Sequence, residues 1–124
     1  MSRLVKDANF IAATALPAGS TTNASTAFNL GASAFKPEEY ELNLVVAANS
    51  VTDGSVAITL QDSADGATFA AIPGLAVITI PTANTAFAET IRLPSGVRQY
   101  LNVSQTGTGA TIAAGGSSVM SLLF

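Results

Sequence analysis

SVAITLQDSADGATFAAI, residues Ser55 to Ile72, decides the fold class. Val56, Ile58 and Leu60 alternate with Ser55, Ala57, Thr59 and Gln61, the period of two that gives a strand one buried face. The run breaks at Asp62-Ser63-Ala64-Asp65-Gly66 and resumes at Ala67-Thr68-Phe69. Asp-Gly between two alternating runs signals a hairpin, because glycine takes positive φ without a Cβ clash. An antiparallel hairpin is therefore expected at the centre of the chain.

Working outward, the same pattern recurs. Tyr40 to Ala48 is the strongest strand, with Tyr40, Leu42, Leu44 and Val46 facing one way and Glu41, Asn43 and Val45 the other. Asp53-Gly54 is a second hairpin signal and predicts that this strand pairs with Ser55–Gln61. Asn9 to Leu16 reads as a first strand, stopped by the turn cluster Pro17-Ala18-Gly19-Ser20. A loop over Ser20–Asn23 leads to a second strand, Ser25 to Leu30, and Gly31 to Pro37 is a connection. Proline suits a first helical position, but a loop is favoured over a helical turn at Pro37-Glu38-Glu39.

Downstream, Leu75–Ile80 and Ala86–Leu93 read as strands. Glu89 falls on the apolar face of the latter, so either that strand lies at a sheet edge or its phase is shifted. Arg98–Thr106 follows with Leu101 and Val103 inward. Gly107-Thr108-Gly109 and Gly115-Gly116 bracket a weak segment around Ile112, and Ser117–Phe124 closes the chain. Strands spaced by roughly 8–12 residues with turns between them predict a sandwich or barrel. About eight or nine of them suit an all-β jelly-roll or Greek-key β-sandwich. The expected organisation is an extended N-terminal arm, residues 1–8, and a single β-sandwich domain, residues 9–124. Its core is drawn from Leu42, Leu44, Val46, Val56, Ile58, Leu60, Phe69, Ile78, Ile80, Leu101 and Val103.

Composition narrows the chemistry. The chain has 124 residues, enough for one domain. Hydrophobic residues make up 48% and charged residues 10%, against roughly 25% charged in an ordinary soluble domain. A weakly charged surface does little to keep copies apart. That fits a protein living in an assembly, and equally a small-residue bias of the source genome. The net charge is −3, and Arg3, Lys6, Lys36, Arg92 and Arg98 are scattered, which argues against nucleic acid as a partner. Without cysteine or histidine, disulfides, thiolate nucleophiles and the commonest general base are excluded. The amino end lacks the apolar run of a signal peptide, so synthesis in a cytoplasm is expected, with no membrane as partner.

Each candidate site has a plainer reading. Asp62 and Asp65 beside Gly66 could offer oxygens to calcium, but the remaining ligands of a calcium loop are missing and aspartate favours turns on its own account; a structural turn without metal is expected. Glu38 and Glu41 could form an acid–base pair, yet adjacent carboxylates in an exposed loop are ordinarily solvated. A serine nucleophile lacks an activating histidine, and Gly107-Thr108-Gly109 lacks the lysine and helix of a phosphate loop. A final strand ending in Phe124 also occurs in outer-membrane barrels; closure of a sheet is the simpler account. No enzyme activity and no cofactor are expected.

The order of pieces does carry a likeness. Asp7-Ala-Asn-Phe10, Phe28-Asn-Leu-Gly31, Leu42-Asn-Leu-Val-Val46, Leu60-Gln-Asp-Ser-Ala-Asp-Gly66, Arg98-Gln-Tyr-Leu-Asn-Val103 and Thr106-Gly-Thr-Gly-Ala110, with an apolar last strand, resemble the small jelly-roll capsid cement (decoration) proteins of tailed bacteriophages. The likeness spans nearly the whole chain, but in turn-and-strand phrases that phage tail and baseplate domains share. It implies a structural virion protein on the outer surface of the head, lying between capsomers and made in the host cytoplasm. It also implies the major capsid protein as partner and symmetric copies of itself, as a homodimer or homotrimer. The arm residues Arg3, Leu4, Lys6 and Asp7 are the expected partner contacts. A tail or fibre module binding a host-surface glycan or another structural protein is the alternative.

Overall fold

A computed structural model of the chain describes residues 6–30, 41–94 and 96–123. Those residues form ten strands and no helix: β1 (Lys6–Ala15), β2 (Thr22–Ala24), β3 (Phe28–Asn29), β4 (Glu41–Val46), β5 (Val51–Ser63), β6 (Ala70–Ala71), β7 (Ile78–Ile80), β8 (Phe87–Arg92), β9 (Tyr100–Ile112) and β10 (Ser117–Leu123). All pairings are antiparallel. One sheet has the order β1-β10-β4-β8. The other is built on the long β9–β5 pair, with β2 and β3 both beside β9 and β6 and β7 both beside β5. Taking each short pair as one position, the chain visits the sheets in the orders 1-8-3-6 and 2-7-4-5. The two sheets make a β-sandwich, as the strand spacing predicts.

The core lies between them, and the period of two puts it there. In β4 every second residue (Leu42, Leu44, Val46) is buried. Val56, Ile58 and Leu60 of β5 and Leu101 and Val103 of β9 meet them from the other sheet. Met120 and Leu122 of β10 complete the layer. Phe69 and Ile78, both expected in the core, are only half-buried.

Several expectations need correction. Asp53-Gly54 is not a hairpin turn, and β4 does not pair with β5; the two lie in different sheets, joined by the short connection 47–50. Asp53 and Gly54 sit inside β5, where the register against β9 shifts on either side of Asp53. Gly54 has φ +69, and a Cβ there would come within 2.4 Å of the carbonyl oxygens of Thr108 and Gly109. The glycine is needed for a bulge against a close-lying strand rather than for a turn. Gly107-Thr108-Gly109, expected to break the chain, is the other side of that bulge and belongs to β9.

The central hairpin forms, but β6 is only Ala70–Ala71, opposite Gln61 and Asp62. The expected strand Leu75–Ile80 is reduced to Ile78–Ile80. Ser25–Leu30 is not one strand: β2 falls in the expected loop, and the chain breaks where Ser25 turns inward and its Oγ accepts from the Val103 amide at 3.0 Å. The first strand starts at Lys6, opposite Leu123, so Lys6 to Ala8 belong to the sheet rather than to an arm. Residues 1–5, the Pro37–Glu39 segment and Tyr40 lie outside the described residues. For Glu89 the first of its two readings holds: β8 is a sheet edge among the described residues, and the phase stands.

Candidate interaction surfaces

Charge is gathered at one end of the sandwich. Lys6, Leu123, Glu41 and Arg92 stand in one row across the four-stranded sheet, and Arg92 bonds Glu41 at 3.0 Å. The loop after β8 carries Arg98 back to the other sheet, where it closes on Asp62. Arg98 Nη2 lies 2.8 Å and Nε 3.1 Å from Asp62 Oδ1, the Arg98 amide donates to Oδ2 at 3.0 Å, and Nη2 also reaches the Asp62 carbonyl. This forked contact satisfies a carboxylate that is almost fully buried, and it holds the guanidinium pKa above its ordinary value.

Asp65 organises the adjoining loop. Its Oδ1 accepts from the amides of Ala67 at 2.9 Å and Thr68 at 3.0 Å and from Ser63 Oγ at 2.8 Å. Those donors, the Thr68 amide foremost, lower its pKa from 3.8 to about 2. Asp62 turns inward to Arg98 while Asp65 turns to its own loop, so the two carboxylates do not converge, and the described residues hold no cluster of three or more metal-ligating groups. The pH consequence has a definite sign. A depressed folded-state pKa contributes stability above about pH 4 that is lost as pH falls through about 2. Denaturant unfolding of the native chain is expected to weaken across that window, and Asp65→Asn to flatten this part of the profile. Identical profiles for the two would contradict the loop's dependence on this carboxylate.

The opposite end is held by uncharged groups. Gln105, fully buried in β9, donates from Nε2 to the Ala15 carbonyl at 3.1 Å and to Asn23 Oδ1 at 2.9 Å, while its Oε1 accepts from Ser118 Oγ of β10. It thus bonds the two sheets together. Asn84 accepts from the Val51 amide at 3.1 Å and donates to the carbonyls of Ala47 and Thr85, tying the 47–51 and 81–85 segments. Apart from Asp53 and Glu89, no charged residue among the described residues lies away from the first end.

The outer sheet faces are also uncharged over their centres. Ala13, Val119, Val45 and Ala88 form one cross-strand row of the four-stranded sheet, and Ile11, Ser121, Asn43 and Thr90 the next, in which Ser121 is itself buried. Thr22, Thr106, Ala57 and Thr79 form a row across the other sheet. Charged groups are depleted at the cores of protein interfaces because their desolvation is costly; these faces carry no such cost.

One side of the sandwich is open. Between edge strand β8 and the β7 edge of the other sheet lies a cleft of about 370 Å³, lined chiefly by Leu60, Leu75, Val77, Ile78, Phe87 and Ile91. Val77 is 56% exposed. Phe87, Glu89 and Ile91 are opposite Val46, Leu44 and Leu42, so all three point to the inner side of their sheet. Glu89, also lining the cleft, has no hydrogen-bond or ion-pair partner among the described residues.

Of the expected partner contacts, Arg3 and Leu4 lie outside the described residues. Lys6 and Asp7 are placed at the start of β1, on the charged end. Sequence reasoning missed the Asp62–Arg98 contact, Gln105 and the cleft. Gln105 shares the phase of Leu101 and Val103, which was the available signal. No protein-family model matches the chain, and no curated protein matches it in sequence.

Proposed function

We propose that this chain is a structural, non-catalytic protein of tailed-phage heads: a cement protein that binds the outer surface of the shell between capsomers and stabilises it. The strand order carries the reading. Two sheets visited as 1-8-3-6 and 2-7-4-5, with first and last strands adjacent, match a jelly roll built from two Greek keys, an architecture used by viral capsid domains. The sequence phrases of that family and the uncharged outer faces support it. The partner is then the major capsid protein, together with sister copies. Each copy contributes a modest interface, and symmetric copies gain strength from avidity.

The test mixes the purified protein with undecorated heads and follows uptake and the temperature at which the genome is released. Uptake with a higher release temperature is expected. Residues 1–5, which precede β1, are included or omitted; binding that is unchanged without them removes only the part assigned to Arg3 and Leu4. A tail or fibre module would leave the heads unaltered.

A further inference from the structure

We propose that the cleft beside β8 receives residues 1–5 of a second copy of this chain, laid against β8 as an added strand with Arg3 meeting Glu89. Strand β8 forms one wall of this cleft. Its outer edge is unpaired among the described residues, and an unpaired edge offers backbone donors and acceptors to an incoming strand. Its inward residues are Phe87, Glu89 and Ile91, so an added strand places alternate side chains over an apolar, an acidic and an apolar position in turn. The complementary pattern is apolar-x-cation-x-apolar.

Met1-Ser2-Arg3-Leu4-Val5 has that pattern, with Met1 and Val5 flanking Arg3. Because the pattern is symmetric, it suits either strand direction. The other cations do not fit. Arg92 and Arg98 are bonded to Glu41 and Asp62, Lys6 lies in a strand paired with β10, and Lys36 has Glu38 two residues on, which would add negative charge to the same row.

The chain's own cleft is out of reach. Lys6 and Arg92 mark the two edges of one row across the four-stranded sheet, three strand spacings or about 14 Å apart. Arg3 lies three residues before Lys6, and three extended residues cover at most about 11 Å, so it cannot cross the sheet to the Glu89 of its own chain. A neighbouring copy has no such restriction, and reciprocal exchange gives a closed dimer or ring. This deepens the self-association part of the proposed function, yet it is tested on the purified protein without heads, so either reading can fail alone.

The experiment is sedimentation of the full chain over a concentration series, for the native protein, Arg3→Glu, Glu89→Arg and the double reversal. Glu89 is exposed on an edge, so the fold survives its replacement, which circular dichroism checks. The native chain should self-associate, each single reversal should weaken association by about tenfold or more, and the double reversal should recover most of it. A chain that stays monomeric, association indifferent to both reversals, or a double reversal no better than the singles would overturn the proposal. Monomers that bind heads through Glu89 would instead assign the cleft to the shell protein.

Discussion

Replacing Ile58 with alanine is expected to lower the free energy of unfolding by about 2–5 kcal/mol. Ile58 is wholly buried in β5, the strand that pairs with β9 on one side and β7 on the other. Its immediate cross-strand partners are Gln105 and Ile78, and the Leu42–Val46 row of β4 closes the core from the opposite sheet. The lost methylenes would leave a cavity that strands pinned in two ladders cannot collapse to fill, which puts the cost in the upper part of that range. Set against a total stability of roughly 5–15 kcal/mol for a domain, this is a large fraction. Urea unfolding measures it directly. Phe69→Ala, at a half-buried loop position, should cost clearly less; equal costs would mean that the core is not where the sheets place it.

Arg98→Ala carries the second large effect. The Asp62 side chain is 5% exposed and that of Arg98 46%, so removing the guanidinium leaves a buried carboxylate with one remaining donor, the residue 98 amide. Stripping one partner from a fully buried pair costs roughly 3–5 kcal/mol. Water reaches this guanidinium, so a loss below that range is expected here, read as a lower urea midpoint than the native chain's. Arg98→Lys should recover only part of the loss, since a lysine cannot reproduce the forked contact. The double variant with Asp62→Ala should cost less than the sum of the two single changes. Strict additivity would mean that the contact contributes nothing.

What the sequence could and could not reveal follows from range. The buried phases of β4, β5 and β9 were legible because side-chain alternation is a property of neighbouring residues. Sheet membership was not: whether the strand before Asp53 pairs with the one after it depends on β9 and β10, far along the chain. Asp53-Gly54 misled because a bulge and a hairpin turn make the same demand for positive φ. Only the nearby backbone of Thr108 and Gly109 tells them apart. The Asp62–Arg98 contact joins residues separated by 36 positions with no local mark. Glu89 was different. An acidic residue in an apolar phase was visible at the outset, and it lines the cleft beside β8.

The central claim is that many copies of this chain cover a phage head. The most direct measurement is the number of copies bound per major capsid protein when undecorated heads are titrated to saturation. The account predicts a sharp plateau at a fixed simple ratio, set by the symmetry of sites between capsomers, with the release temperature of the genome rising in step. Uptake that never saturates, or heads that take up none of the protein, would contradict it.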